Sequence, residues 1–308
     1  MTRVASPPSP ATGGEHRRGT PTTAAAAPVR RRRPSRVAAA ARGVAAAVVV
    51  VACLFPVYWM VSSSLLPRNL VRSTTPTWFP YEGTLSNYAR VFADGGYVTA
   101  LRTSLLVTLA TVGVSLLLAL LAALALSRFR FRGRRAVVLT VLAVQMVPAE
   151  GLFLSQYAML DAVDLLNTVV GLTLVYAATV VPFTIWTLRG FVDGVPVELE
   201  EAAMVDGCSR TGAFFRVTLP LLAPGLVATG VFGFIQAWNE FTLALVVMNR
   251  PEAQTLPVWL RSFSDVNRGT DWGAIMAAST LLAVPVVIFF LLVQRRMTSG
   301  LAAGSVKG

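Results

Sequence analysis

Six apolar stretches, most of them near twenty residues long, constrain this chain more than any other feature. They run over residues 43–64, 103–126, 136–154, 169–188, 221–247 and 274–293. That length matches what an α-helix needs to cross a hydrocarbon layer roughly 30 Å thick, where backbone N–H and C=O groups must satisfy one another. With 55% hydrophobic and only 14% charged residues among 308, the composition is far from that of a soluble domain. The expected fold is all-α, a polytopic membrane protein with six transmembrane helices. The third stretch is the most irregular, because Gln145, Pro148 and Glu150 interrupt it.

The basic residues set the orientation. A net charge of +12 would suggest nucleic acid as a partner of a soluble protein, but twenty of the 27 Lys and Arg lie on one side of the six stretches. They precede the first, crowd the loop from Arg128 to Arg135, sit between the fourth and fifth, and follow the sixth. The positive-inside rule then places both termini in the cytoplasm of a multi-pass cell-membrane protein, with lipid rather than nucleic acid around it. Residues 1–36, rich in Pro, Ala, Thr and Arg, are expected to be a disordered basic cytoplasmic tail. Its Arg30-Arg31-Arg32-Arg33 run either touches anionic headgroups or is simply solvated. The first apolar stretch lacks an obvious small-residue cleavage site, so an uncleaved first helix is expected. The division that follows is 37–98 for the first helix and first extracytoplasmic loop, 99–296 for the transmembrane core, and 297–308 for a cytoplasmic tail carrying Gly300, Gly304 and Gly308.

Catalytic and metal chemistry find no support. Cys53 falls inside the first stretch and Cys208 in a cytoplasmic loop, and the single histidine, His16, is in the tail, so neither a disulfide nor a zinc site is expected. The chain's one lysine is Lys307, and there is no glycine-rich phosphate loop ending in Lys and Ser or Thr. No nucleophile-elbow pattern is present either, so no cofactor and no catalytic residue is assigned to this chain.

Between the fourth and fifth stretches the charge reverses. Glu198, Glu200, Glu201 and Asp206 outnumber Arg210 and Arg216, which makes this the one acidic cytoplasmic loop. Its first part has the punctuation of a short helix: Pro196 at the start, glutamates near the positive end of the dipole, and Gly207 where a left-handed cap would sit. Leu199, Ala202, Ala203 and Asp206 share one face with small side chains. The helix either enters a socket with basic residues on a soluble partner or lies at the interface with a solvated polar face.

Glu201-Ala202-Ala203, three residues, Gly207, nine residues and then Val217-Thr218-Leu219-Pro220 resemble the EAA loop of ABC importer permeases, with Val217 where Ile is usual. Leu85-Ser86-Asn87-Tyr88, Leu188-Arg189-Gly190-Phe191, Trp238-Asn239-Glu240-Phe241 and the glycine-punctuated tail extend the similarity to the carbohydrate branch, the maltose-permease type, over residues 43–308. The resemblance implies a coupling role for Glu198, Glu200, Glu201, Ala202, Ala203, Asp206, Gly207, Leu219 and Pro220. It also implies a second, non-identical permease, two ATP-binding-cassette ATPase subunits that hold ATP and Mg, and an extracytoplasmic sugar-binding protein.

For the substrate pathway, the residues themselves suggest Gln236, Asn239 and Glu240, spaced to share a helix face beside Trp238, and Glu150 at the break near Pro148. A charge at mid-bilayer costs on the order of 3 kcal/mol, so such groups usually face a bundle interior or wet cavity. Two other placements stay open: an aromatic-belt anchor or packing network for Trp238 and Glu240, and a helix end near the surface for Glu150. Rival functions are transport of a polyamine or an anion by the same mechanism, and proton-coupled secondary transport through Glu150 and Glu240.

Overall fold

In the computed structural model, the backbone is described for residues 36–265 and 269–304. The expected tail over residues 1–36 thus falls outside the described residues except at its last position. Thirteen helices follow one another among the described residues: α1 (Arg36–Ser64), α2 (Arg68–Val71), α3 (Ser86–Ala93), α4 (Tyr97–Arg128), α5 (Arg134–Val144), α6 (Phe153–Asp161) and α7 (Val169–Asp193). Then come α8 (Val197–Val205), α9 (Arg210–Ala213), α10 (Leu219–Asn239), α11 (Thr242–Val247), α12 (Leu256–Trp259) and α13 (Trp272–Gly304). A two-residue hairpin, Ser264–Asp265 antiparallel to Gly269–Thr270, precedes α13.

Residues 1–52 and 53–308 form separate units. In the first, the described side chains from Ala40 onward lie on an exposed helix. In the second, α4 and α7 pair along their lengths and α10 packs on both and on α13. Among the described residues, five helical segments are long and apolar enough to cross a membrane: Ala40–Ser64, Tyr97–Arg128, Val169–Asp193, Arg210–Asn239 and Trp272–Gln294.

Two expected spans are corrected. The stretch 136–154 is not one helix. After the eleven residues of α5 the chain breaks, and a 3-10 turn over Ala149–Leu152 leads into α6. Pro148, extended at φ −64° and ψ 122°, cannot donate to a preceding turn and pushes its predecessor out of helical space. The stretch 221–247 divides as well, because Glu240 is extended (φ −70°, ψ 125°) between α10 and α11. At the other end, α13 continues helical to Gly304, through most of the segment set apart as a tail.

Small residues build the interior. The buried side of α4 carries Ala100, Thr103, Ser104, Thr108, Thr111, Ser115, Ala119 and Ala123, while Leu106, Leu109, Leu117, Leu118 and Leu121 point outward. In lipid, apolar bulk drives no helix together, and association depends on close van der Waals approach. Gly225 of α10 shows how close: a Cβ there would stand 2.5 Å from Cγ of Phe191 on α7. Near Asp271, buried Asn87 donates to the carbonyls of Ser64 (2.7 Å) and Leu66 (2.8 Å). Arg90 pairs with Asp271 at 3.3 Å, and Asp271 accepts from the Ala274 amide in the first turn of α13. Helix α3, through Asn87 and Arg90, thus ties the end of α1 to the residue before α13.

Candidate functional site: an acidic helix and a capped helix break

Helix α8 has the start and stop expected from its residues. Pro196 is extended (φ −58°, ψ 135°) just before it, and Glu198 and Glu200 lie in the first turn, where the helix dipole favours carboxylates. Gly207 takes φ +91°, a left-handed conformation that glycine adopts without strain. Around it the Cys208 amide donates to Ala203 O (3.0 Å) and the Gly207 amide to Met204 O (3.1 Å), the pair of bonds that closes a Schellman cap.

The remainder of the loop is itself helical, which periodicity did not reveal. Ser209 caps α9 by accepting from the Gly212 amide at 3.1 Å, and a π-helical turn over Phe214–Thr218 runs into α10. Pro220 explains the turn. In a regular helix its ring would press on the carbonyl of Arg216 four residues earlier, and widening by one residue lets Leu219 N–H bond Phe214 O instead.

Of the four acidic residues, the structure turns one inward. Glu200 Oε1 accepts from Thr218 Oγ1 at 2.8 Å and pairs with Arg128 Nη2 at 3.0 Å. Glu198, Glu201 and Asp206 are exposed and make no side-chain hydrogen bond or ion pair among the described residues. Arg210 lies 5.7 Å over the Phe129 ring, and Arg216 donates to Cys208 Sγ at 3.6 Å. No residue of α8 is buried, and Val197, Leu199, Met204 and Val205 are exposed beside the carboxylates. Ala202 is exposed and Ala203 half-buried, so the small-residue face is open; Leu219 is half-buried and Pro220 exposed at the start of α10. Sequence reasoning missed Arg128 and Thr218. Arg128 was one of five arginines accounted for by topology, and Thr218 looked like an ordinary motif residue.

The expected polar face in the fifth segment is not formed as one face. Trp238 is 1% exposed, lies near-parallel to Phe234 with centroids 5.6 Å apart, and donates to Leu282 O of α13 at 3.3 Å. Glu240 has left the helix: its carboxylate accepts from the amides of Leu243 (2.8 Å) and Ala244 (3.0 Å) and from the Tyr176 hydroxyl (2.7 Å). It therefore caps α11, whose N-terminal amides would otherwise lack acceptors. Gln236 and Asn239 are exposed, and Asn239 donates to Ile235 O at 2.9 Å. The backbone of Glu150 lies in the 3-10 turn of the third segment, and its side chain is outside the described residues. A cavity of about 310 Å³ is lined by Thr103, Asn167, Val169, Met248, Arg250, Glu252 and Ala253, and by none of these pathway candidates.

Residues 100–302 match the family described as binding-protein-dependent transport system inner membrane component. The chain belongs to this family. The permease is 49% identical over 255 residues to the diacetylchitobiose uptake system permease protein DasC of Streptomyces coelicolor, covering 83% of this chain and 92% of that one. It is 37% identical over 267 residues to the trehalose/maltose transport system permease protein MalG of Thermococcus litoralis, with the same coverage of 83% and 92%. Its fold is shared with a chain of a bacterial ABC transporter involved in the import of the acidic polysaccharide alginate. That match has a TM-score of 0.72 and 23% identity, and covers 84% of this chain and 96% of the other. The permease is accordingly a multi-pass protein of the cell membrane.

Proposed function

We propose that this permease carries a sugar or oligosaccharide inward as one subunit of an ATP-binding-cassette importer, with α8 as the helix that docks a separate ATPase. The observation that carries the docking is the exposed surface of α8: three unbonded carboxylates beside four exposed apolar side chains on a helix that begins after Pro196 and is capped at its C-terminus. Such a surface suits a cleft with basic walls and an apolar floor. Because the chain has no phosphate loop, ATP and Mg belong to that ATPase. The importer would contain two ATPase subunits, a second non-identical permease and an extracytoplasmic sugar-binding protein. The names of relatives that transport diacetylchitobiose and trehalose or maltose support carbohydrate as cargo over a polyamine or a proton-coupled solute.

Alternating access supplies the mechanism. ATP draws the ATPase pair together, α8 moves with it, and the spans reopen the cavity toward the binding protein. Six crossings with both termini cytoplasmic follow if α5, the broken segment and α6 together form the third crossing. Gln236 and Asn239, exposed at the end of α10, are the pathway residues of the fifth segment that this arrangement leaves open to sugar. Glu201→Lys reverses charge at the centre of the docking surface. It should abolish uptake and strip the ATPase from the purified complex while the permease remains in the membrane. Normal uptake with normal recovery of the ATPase would defeat the docking assignment.

A further inference from the structure

Adjacent glutamates on α8 have opposite surroundings. Glu201 is exposed and unbonded, whereas the Glu200 side chain is 17% exposed and its Oε1 is held by both Arg128 and Thr218. Arg128 is the last residue of α4, and the same Nη2 that pairs with Glu200 also donates to Val195 O at 3.0 Å, in the link between α7 and α8. Thr218 is fully buried and closes the π-helical turn that opens α10. One carboxylate thus joins α8 to the end of α4 and to the turn that opens α10, and Arg128 ties that junction to the link after α7.

The rest of the contact is thin, since α8 contributes no buried side chain to the core. Beneath it Val195 joins a cluster with Ala119, Ala123, Leu188, Val192 and Leu222, which belong to α4, α7 and α10 rather than to α8. A displacement of α8 therefore has few apolar contacts through which to travel. A charge-assisted pair withdrawn from solvent is short and directional, and removing one partner leaves the other charge poorly solvated.

Resting on the reading of α8 as the ATPase-docking helix, we propose that Glu200 is a strut and not a docking group. With Arg128 and Thr218 it passes the movement of α8 directly to α4 and α10. Glu200 is then a positioning residue for transport: Glu201 meets the partner, and Glu200 holds the helix to the spans that must move. Two neighbouring acids of one motif divide the work because successive helix positions point about 100° apart.

The test uses the complete importer in proteoliposomes with its binding protein and radiolabelled diacetylchitobiose or maltose, whichever the wild-type complex accumulates. Two quantities are read for each variant: ATPase retained on purification, and sugar moved per ATP hydrolysed. Glu200→Gln should retain the ATPase yet lower sugar per ATP by about tenfold, within the usual range of site-to-site coupling. Arg128→Gln should behave alike, and the double variant should fall no further than either single one, since both delete the same link. Glu200→Asp, which keeps the charge, should recover part of the ratio. Loss of the ATPase from the Glu200→Gln complex would make Glu200 a docking group and overturn the proposal, as would an unchanged ratio. If Glu200→Gln permease is not recovered from the membrane, Thr218→Val, which removes a single bond, must lower the ratio, and an unchanged ratio counts against the strut. Failure of the docking reading shows separately, as ATPase retained by Glu201→Lys.

Discussion

The Glu240 carboxylate accepts three hydrogen bonds at the point where the fifth segment breaks. Glu240→Ala would leave two amides of α11 short of partners at once and would leave the Tyr176 hydroxyl only its longer contact, 3.3 Å, with the backbone carbonyl of residue 240. With a buried unsatisfied group costing about 1–3 kcal/mol, thermal unfolding in detergent should move down by several degrees. Tyr176→Phe removes one bond and should cost about 1 kcal/mol. If Glu240→Ala melts at the wild-type temperature, the carboxylate is not holding the break. Gly207 makes a second residue-scale prediction. At φ +91° a side chain is strained, so Gly207→Ala should loosen the end of α8 by about 1 kcal/mol and lower sugar uptake more than it lowers the melting temperature. The sequence contained both residues in recognisable positions, yet it supplied a reason only for Gly207. Its conformational freedom is a property of the residue, whereas the partners of Glu240 include Tyr176, 64 residues away.

At the scale of elements, the close contact between α7 and α10 depends on the absence of a side chain at Gly225. Gly225→Ala would drive a Cβ into the Phe191 ring and should cost about 1–3 kcal/mol as the helices part. Gly113→Ala on α4 meets open space and should leave the melting temperature unchanged or slightly raised. Equal losses in the two variants would show that helix propensity, not contact, is being measured. Element positions were legible where a segment is uniformly apolar, as for α4 and α7, since length alone then decides the crossing. They were less legible around Pro148 and Glu240. In both places one residue type opposes the apolar run, and the size of the resulting break depends on what the freed backbone groups can bond.

For the whole molecule, the arrangement of crossings makes a prediction that labelling can check. With Cys53 and Cys208 replaced by serine, a single cysteine at Asp164 should react with an impermeant reagent from outside intact cells. Cysteines at Arg132 or Asp206 should react only after permeabilisation. Reaction of all three from the same side would mean that α5 and α6 do not together cross the membrane.

The sequence by itself determined that this is a membrane protein, and it supplied the expectations of an orientation and of a partner at the one acidic loop. Those conclusions rest on hydropathy, charge placement and motif spacing, which are additive along a chain. Only the tertiary structure decided that Glu200 faces Arg128 and Thr218 while Glu201 faces outward, that Trp238 is packed away between α10 and α13, and that Glu240 caps a helix. The Glu200 contacts join residues 18 and 72 positions apart, and the bond from Tyr176 that completes the Glu240 cap spans 64, through helix packing, and local pattern carries no term for that encounter.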